Sequence, residues 1–453
     1  MKIYDLAVIG GGPAGYHAAI ELSKKNKKSI VIDEKTLGGT CLHLGCIPSK
    51  SLISSAGLFR NLKKANDYGI TLNENFSADL QLMISKKNKI VSNLEKGIFN
   101  LFKNHGVEFV QGRGEIQEVN RVRVKNMNEE ISDIHANNIL IATGSRPRTL
   151  PSFPIDGDKI ITSDHAVNLE KIPKRLLVLG GGYIGCELAC FYNEIGSEVH
   201  VIEGLESLVP NLDSDISKFL EREFRKQKIK VRTNEFVSGI EIQNDEVLVQ
   251  FENGEELVVD KILIAIGRSP NSEGIGLENV GIKIESNGTI FCDENMRTNV
   301  ENIYVAGDVA GRIMLAHVAS YEGFIVAENI SGIPAKIDYS LVPCGIFTYP
   351  EIGSVGLSEK DAISMGKSVK ISRFDIRGLG KAHADRTIEG FVKIVSCAED
   401  DSILGMHIVS SHAADLVHEG VAAMKGGIKI EELGMMIHSH PTLSEGIMLA
   451  ALS

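Results

Sequence analysis

The chain has 453 residues, which is too long for one ordinary domain and predicts about three. Its 43% hydrophobic and 24% charged residues are typical of a globular protein and exclude a disordered or fibrous chain. A net charge of -11 argues against a nucleic-acid or anionic-membrane partner, because either would require a basic surface. We also expect a cytoplasmic protein, since the sequence shows neither a signal peptide nor an apolar stretch of about 18 residues.

The chain opens with the pattern of a dinucleotide-binding unit: a strand, the glycine turn GGGPAG, a helix and a second strand, at residues 4–9, 10–15, 16–24 and 29–33. Glycine is required where a Cβ would block the turn, the pyrophosphate or helix packing, and these positions are Gly10, Gly12 and Gly15. An acid after the second strand accepts hydrogen bonds from a ribose, and the spacing favours Asp33 over Glu34 for this role.

Two cysteines, Cys41 and Cys46, lie close together in the next stretch, GGTCLHLGCIPSK. The chain has seven cysteines, an odd number without framework spacing, and structural disulfides are rare in the cytoplasm. A close pair in a reducing compartment indicates either a catalytic pair or a metal site. A zinc site would need two further ligands, for which only His43 is close, and we therefore expect no metal.

A second dinucleotide-binding pattern follows, with a strand, the turn GGGYIG, a helix, a strand and an acid at residues 176–179, 180–185, 186–194, 198–202 and 203. Its turn glycines are Gly180, Gly182 and Gly185. No Arg or Lys follows Glu203 within reach of a ribose 2′-phosphate, so this unit should prefer NAD over NADP. The recurrence of the whole pattern predicts that the protein holds two dinucleotides.

Two related strings mark the regions around the second unit, NNILIATGSRPR at 137–148 and KILIAIGRSPN at 261–271. Each is an apolar strand that ends in a glycine turn and a proline, which suggests that the chain crosses between domains at both places. A long helical pattern at 78–104 and β-like pieces at 107–124 precede them.

A further buried strand pattern, NIYVAGDV at 302–309, ends with Asp308. Ligands bind at the carboxyl ends of strands in an open α/β sheet, so Asp308 is a candidate contact to the first cofactor. We predict a first dinucleotide-binding domain at residues 1–147 and a second one at 148–268. The chain then returns to the first domain at 269–337 and ends in a C-terminal interface domain at 338–453.

The C-terminal part ends in HSHPTLSEGIMLAALS, where His438, His440 and Glu445 cluster in sequence. A histidine can act as a base near neutral pH, and a carboxylate can fix its tautomer. We interpret His317 and His383 as ordinary core or surface histidines.

In combination, GGTCLHLGCIPSK after GGGPAG, then GGGYIGCE, the AGD string and the terminal HPTLSE resemble the flavin-dependent pyridine nucleotide disulfide oxidoreductases. The resemblance covers almost the whole chain in order. It implies an α/β fold of two Rossmann-like dinucleotide-binding domains, with FAD in the first and NAD in the second. It also implies that a C-terminal α+β dimerisation domain forms a homodimer.

Within this family, the sequence is most similar to members that oxidise protein-bound dihydrolipoamide with NAD+. The resemblance implies that the substrate attacks Cys41, that Cys46 faces the flavin, and that His440 of the partner subunit, oriented by Glu445, is the base. Lys50 could keep the pKa of Cys46 low. Further implied contacts are, for FAD, Lys50, Gly114, Thr143, Gly144 and Ala316, and, for NAD, Tyr183, Glu187 and Gly267. The implied partner is the lipoyl-bearing carrier protein of a 2-oxoacid dehydrogenase or glycine cleavage system.

Some positions depart from the family pattern or separate it from rival functions. Asn and Val are more common in the family at His43 and Leu44, and we expect His43 to face solvent. Glutathione-type reductases favour a Lys at Ser49 and arginines near the second acid, and mercuric reductases carry a vicinal cysteine pair near the C-terminus; this chain has neither pattern. An NADH-dependent reductase of another small disulfide remains an alternative. So does a non-catalytic, cofactor-bearing subunit of a complex, although its expected sign, loss of Cys41, Cys46 or His440, is not seen.

Overall fold

The computed structural model describes residues 2–72, 76–243 and 245–453. The first stretch of the chain builds most of a mixed sheet with helices packed on it. In chain order its elements are β1 (Ile3–Ile9), α1 (Pro13–Ser23), β2 (Ser29–Asp33), α2 (Gly39–His43), α3 (Cys46–Lys63), α4 (Leu80–His105), β3 (Glu108–Glu118), β4 (Arg121–Asn126), β5 (Ile131–Ile141) and β6 (Ser145–Pro147). β3, β2, β1 and β5 lie side by side and parallel, and β4 pairs antiparallel with the outer parts of β3 and β5.

The second stretch builds a separate parallel sheet with the order β10, β9, β8, β14 and β7, and an antiparallel layer of β11, β12 and β13. Its elements are β7 (Ile160–Thr162), α5 (Ser163–Ala166), β8 (Arg175–Leu179), α6 (Tyr183–Glu194), β9 (Glu198–Glu203), α7 (Ser214–Lys226), β10 (Lys230–Thr233), β11 (Val237–Gln243), β12 (Glu246–Phe251), β13 (Glu256–Val259) and β14 (Lys261–Ile264). Both units therefore have the parallel strand arrangement that the two glycine turns predict.

The chain then returns to the first sheet through β15 (Arg268–Pro270), β16 (Ile303–Val305) and α8 (Ala316–Ile330). β15 pairs antiparallel with β6, so the two related strings of the sequence lie side by side where the chain leaves the first unit and where it comes back. β16 extends the first sheet beside β5. The three predicted boundaries between the four segments stay a prediction.

The C-terminal stretch is α+β, with an antiparallel sheet in the order β17, β18, β21, β20 and β19. Its elements are β17 (Cys344–Ile346), β18 (Glu351–Gly356), α9 (Glu359–Ser364), β19 (Val369–Asp375), α10 (Gly380–Ala384), β20 (Phe391–Cys397), β21 (Ile403–Ser410), α11 (Ala413–Gly426), α12 (Ile430–Gly434) and α13 (Glu445–Ala451). In the part of the chain that the structure describes, no helix combines the length and the apolar character needed to cross a membrane.

Both dinucleotide helices begin earlier than the sequence pattern suggests. α1 starts at Pro13 rather than at residue 16, and α6 starts at Tyr183 rather than at residue 186. The last residues of each glycine turn already form the first helical turn, which a proline at the first position of α1 favours because it needs no amide donor there.

A buried ion cluster joins the second unit to the C-terminal sheet. The Lys393 ammonium on β20 lies 3.0 Å from Asp213, 2.8 Å from Asp215 and 2.8 Å from Glu359. The side chains of Lys393 and Asp213 are each only 1% exposed, so each charge depends on the other for compensation. These contacts raise the pKa of Lys393 against the opposing effect of burial and keep the ammonium charged.

We predict that Lys393→Met destabilises the fold by about 3–5 kcal/mol, because it leaves the buried Asp213 carboxylate without a cation. Urea unfolding followed by circular dichroism measures the loss. Lys370→Met, on the exposed face of the neighbouring strand β19, is the matched control and should change stability by less than about 0.5 kcal/mol. Equal stability of the two variants would contradict the assignment.

Candidate functional site

A cavity of about 1270 Å³ lies at the carboxyl ends of the first sheet and extends to the second unit and the C-terminal stretch. Both cysteines, Cys41 and Cys46, lie on its wall. So do nearly all the predicted FAD contacts, namely Gly10, Gly12, Asp33, Glu34, Lys50, Gly114, Thr143, Gly144, Asp308 and Ala316. Gly15 is not on the wall. It lies where α1 packs against the turn, and a Cβ at this position would collide with the Gly10 carbonyl.

The helix that follows the first glycine turn presents a site for an anion to this cavity. Among the described residues no side chain caps the N-terminus of α1, and its first residues Pro13 and Ala14 line the cavity. Uncapped amides and the helix dipole favour a negative group, so the site fits the diphosphate of a dinucleotide. The N-terminus of α6 after the second turn is likewise without a side-chain cap, and the space beside Gly182 is open.

The two acids at the strand ends hold their glycine turns in the same way. The Asp33 carboxylate accepts a 2.7 Å hydrogen bond from the Gly11 amide, and the Glu203 carboxylate accepts a 2.6 Å bond from the Gly181 amide. Glu34 instead has an exposed side chain, which lies 3.6 Å from the Arg113 guanidinium. Asp33, rather than Glu34, is therefore the structural equivalent of Glu203.

The predicted NAD contacts divide into two groups. Tyr183 and Glu187 on α6 line the large cavity. The others are not on that wall. They lie in the turn after β8 (Gly180, Gly182), in the first turn of α6 (Gly185), at the end of β9 (Glu203) and directly before β15 (Gly267). Burial raises the pKa of Tyr183 to about 12, so its hydroxyl stays neutral.

The cysteine pair is fixed against the first glycine turn by close backbone contact. Gly39 begins α2 with φ +59°, and a Cβ there would come within 2.6 Å of the Gly12 Cα. Cys41 lies in α2, and Cys46 is the first residue of α3. A short α2 that packs directly on the glycine turn thus places both half-buried thiols beside the predicted FAD site.

The two thiols have different proton affinities. A hydrogen bond from the Cys41 thiol lowers the pKa of Cys46, and the positive charge of Lys50 adds to this effect, while burial opposes it. The same hydrogen bond, together with burial, raises the pKa of Cys41. The reduced pair therefore holds its negative charge on Cys46, at the N-terminus of α3, where a thiolate is favoured.

A half-buried salt bridge that the sequence did not reveal connects the cysteine helix to the second unit. The Lys50 ammonium lies 2.6 Å from the Glu187 carboxylate, whose other oxygen accepts a 3.0 Å bond from the Phe347 amide. The Lys50 ammonium also lies 4.7 Å from the centre of the Phe347 ring. Lys50, which the resemblance assigns to FAD, and Glu187, which it assigns to NAD, thus form a salt bridge with each other.

His43 faces solvent only in part, whereas we expected a simply exposed residue from the sequence. The ring is half-buried on the cavity wall, and its Nε2 donates a 2.8 Å hydrogen bond to the Leu37 carbonyl. The bond ties the end of α2 to the loop that precedes it.

Asp308 lies on the cavity wall in a 3-10 turn directly after β16. It accepts a hydrogen bond from the Ser145 hydroxyl and lies 3.7 Å from the Arg268 guanidinium. Sequence reasoning missed Ser145 and Arg268, although each stands in one of the related strings GSRP and GRSP that pair as β6 and β15.

The C-terminal histidine and glutamate form a pair, but not in the cavity of their own chain. His440 Nδ1 lies 2.9 Å from Glu445, whose second oxygen accepts a 2.8 Å bond from the Thr442 amide. The Thr442 amide and His440 together lower the pKa of Glu445, which keeps the carboxylate charged. The His440 side chain is 76% exposed, and neither residue lines the cavity.

The other three histidines named in the sequence analysis have different hydrogen-bond partners. His438 pairs with Glu419 at 2.7 Å, so the three residues that cluster in the sequence divide between two sites. His317 and His383 are exposed, and each donates a 2.8 Å bond to a backbone carbonyl. His317 also lies on the wall of the large cavity, beside Ala316, so its interpretation as an ordinary residue stays a prediction.

Comparison with known proteins matches both halves of the chain to one family. Residues 4–323 match the pyridine nucleotide-disulphide oxidoreductases, and residues 342–451 match the dimerisation domain of that family. Relatives include the dihydrolipoyl dehydrogenases of Bacillus subtilis, at 40% identity over 99% of this chain and 95% of that protein, and of Chlamydia muridarum, at 39% over 98% and 95%. The crystal structure of LpdA from Mycobacterium tuberculosis has a TM-score of 0.93 and 29% identity, with 99% of both chains covered.

We predict that Lys50→Met shifts the pH dependence of Cys46 alkylation upward by about one unit, since it removes a nearby positive charge and leaves the Glu187 carboxylate. Alkylation requires the thiolate, so at a fixed neutral pH the variant should react more slowly. Iodoacetamide labelling of the reduced protein, quantified on the Cys46 peptide by mass spectrometry, gives the profile. Lys50→Arg keeps the charge and should retain the wild-type profile, and an unshifted Lys50→Met profile would contradict the role of Lys50.

Proposed function

The chain belongs to the pyridine nucleotide-disulphide oxidoreductase family, and on that premise we propose that it oxidises protein-bound dihydrolipoamide to lipoamide with NAD+ as the electron acceptor. Electrons pass through a Cys41–Cys46 disulfide and FAD. The observation that carries this proposal is the position of the cysteine pair, on the wall of the cavity that the first dinucleotide unit forms.

The cofactors of the family are FAD and NAD, and the chain offers a place for each. Residues of this chain that would hold FAD are Gly10, Gly12, Gly15, Asp33, Glu34, Lys50, Gly114, Thr143, Gly144, Asp308 and Ala316, and those for NAD are Gly180, Gly182, Tyr183, Gly185, Glu187, Glu203 and Gly267. When bound, FAD supplies a two-electron acceptor beside the thiols and NAD takes the electron pair on.

The protein's own residues perform the thiol chemistry. His440 of the partner subunit, oriented by Glu445, removes a proton from a substrate thiol. The resulting thiolate attacks the Cys41 sulfur, the Cys41–Cys46 bond breaks, and Cys46 leaves as a thiolate.

The second substrate thiol then loses its proton and attacks the substrate sulfur bound to Cys41. That step closes the substrate disulfide and releases Cys41, so both electrons now reside on the cysteine pair. The lowered pKa of Cys46 suits it to leave and to persist as the thiolate at neutral pH.

A homodimer is part of this proposal, because one chain does not bring its base to its own cysteines. His440 is exposed, and two apolar residues shortly before it in the sequence are exposed as well, Met435 at 78% and Ile437 at 101%. Large apolar side chains that are exposed in this way favour a partner surface. The match to a dimerisation domain over residues 342–451 supports a second copy of this chain as that partner.

The substrate carrier and the cellular location belong to the same proposal. We infer a lipoyl-bearing carrier protein of a 2-oxoacid dehydrogenase or glycine cleavage system as the substrate, from the relatives named dihydrolipoyl dehydrogenase. The net charge of -11 favours a protein partner over nucleic acid, which would require a basic surface. We place the enzyme in the cytoplasm.

We predict that Cys46→Ser lowers the rate of dihydrolipoamide oxidation by at least about a thousandfold, since the disulfide can no longer form. His440→Gln should lower it by about a hundredfold or more, because the base is lost. NADH formation from dihydrolipoamide and NAD+ measures both. His383→Gln, another exposed histidine of the C-terminal stretch, is the control and should retain activity, and an active Cys46→Ser enzyme would contradict the proposal.

The shared site predicts that two inactive variants can restore each other. In a hybrid dimer of one Cys46→Ser subunit and one His440→Gln subunit, one site has both defects and the other has none, so the hybrid should recover about half of the wild-type activity. The hybrid is isolated by two affinity tags after co-expression. If cysteine and histidine of the same chain acted together, each site of the hybrid would carry one defect, and no activity would return.

A further inference from the structure

One buried carboxyl group lies directly behind the predicted FAD site without touching the cavity. Glu322 is on α8, the helix that packs across α1, and its side chain is 1% exposed. Burial raises its pKa to about 7. A carboxyl group in such a position is costly unless both oxygens are hydrogen-bonded.

Both oxygens of Glu322 have donors, and the two donors belong to different segments of the chain. The Gly307 amide donates a 2.6 Å bond to one oxygen, and the Tyr339 hydroxyl donates a 2.7 Å bond to the other. Gly307 precedes Asp308 on the cavity wall, whereas Tyr339 begins the segment that leads into the C-terminal sheet. Glu322 thus joins the Asp308 turn to the start of the C-terminal stretch.

The backbone at Gly307 needs this support. Its φ of +80° and ψ of -162° lie in a region that only glycine populates readily, and a Cβ there would contact Ala14 on α1 and Ala319 on α8. The unusual conformation turns the chain from β16 so that the Asp308 side chain reaches Ser145 and Arg268 at the cavity. Removal of the Glu322 side chain would leave the Gly307 amide without its acceptor, and Gly307 is the residue whose conformation sets the direction of Asp308.

We infer that Glu322 is a positioning residue for FAD binding: it holds the Gly307 amide and so fixes the direction in which Asp308 enters the cavity. The inference rests on the proposed function, because it takes Asp308 as a contact of FAD. The charged groups that act on Glu322 are Asp308 and Arg312, and Tyr339 is its polar neighbour from the C-terminal side. Glu322 acts through Asp308 and does not contact the cofactor.

A double-mutant cycle on FAD affinity tests the inference, because two residues that act through one contact are not additive. The dissociation constant of FAD is measured on the apoprotein by flavin fluorescence for wild type, Glu322→Ala, Asp308→Ala and the double variant. We expect Glu322→Ala to weaken FAD binding at least about tenfold in the wild-type background and less than about threefold when Asp308 is already absent. Glu322→Gln retains an acceptor and should stay within about threefold of wild type.

Two further measurements separate positioning from general destabilisation. Ile325→Ala removes a buried side chain of the same helix, so it should lower the melting temperature without changing FAD affinity by more than about threefold. Hydrogen exchange at the Gly307 amide of the apoprotein should become faster in Glu322→Ala and not in Ile325→Ala. If Glu322→Ala does not fold, Tyr339→Phe removes one donor only and should show the same non-additivity with Asp308→Ala at smaller amplitude.

Additive effects of Glu322 and Asp308, or equal weakening of FAD binding by Ile325→Ala, would overturn the inference. Wild-type protein that binds FAD while the cycle is additive would overturn the inference alone. Wild-type protein that binds no FAD would overturn the proposed function together with it.

Discussion

The buried carboxylate of Glu187 holds three parts of the chain in contact. It receives the Lys50 ammonium from the helix that starts with Cys46, it stands on the helix that follows the second glycine turn, and it accepts the Phe347 amide from the C-terminal stretch. A buried charge requires such partners, so these contacts compensate the Glu187 carboxylate only while the three parts stay together. The contact contributes to the position of the cysteine pair relative to the second dinucleotide unit, together with the apolar packing of the same two helices.

The electrostatics of the thiols follow from the same arrangement. Lys50 faces both Glu187 and the cysteines, so its charge is shared between an ion pair and the stabilisation of the Cys46 thiolate. In the C-terminal stretch, the Thr442 amide holds the Glu445 carboxylate, and Glu445 in turn orients the exposed His440 ring. In the proposed mechanism, Cys46 is therefore the leaving thiolate within the cavity of one subunit, and His440 is a base that its surface offers to another subunit.

Sequence patterns predicted those parts of the fold that depend on contacts between residues close together in the chain. Glycine turns, strand ends and the acids Asp33 and Glu203 follow from close packing and hydrogen bonds within about 25 residues, and the structure has them where expected. The Lys50 and Glu187 pair joins residues 137 positions apart, and Ser145 and Arg268 reach Asp308 only because β6 and β15 pair, so neither contact has a local signal. His43 was misjudged because the acceptor of its bond, the Leu37 carbonyl, is a backbone group that any sequence supplies.

In the proposed enzyme, the Cys46 thiolate lies against a flavin held by the first unit. The visible spectrum of the purified protein, recorded before and after one equivalent of dihydrolipoamide without NAD+, tests it most directly. We expect a yellow protein that gains a long-wavelength absorption band from thiolate-to-flavin charge transfer, and we expect no such band in the Cys46→Ser variant. A colourless protein, or a flavin that dihydrolipoamide bleaches without the band, would contradict it.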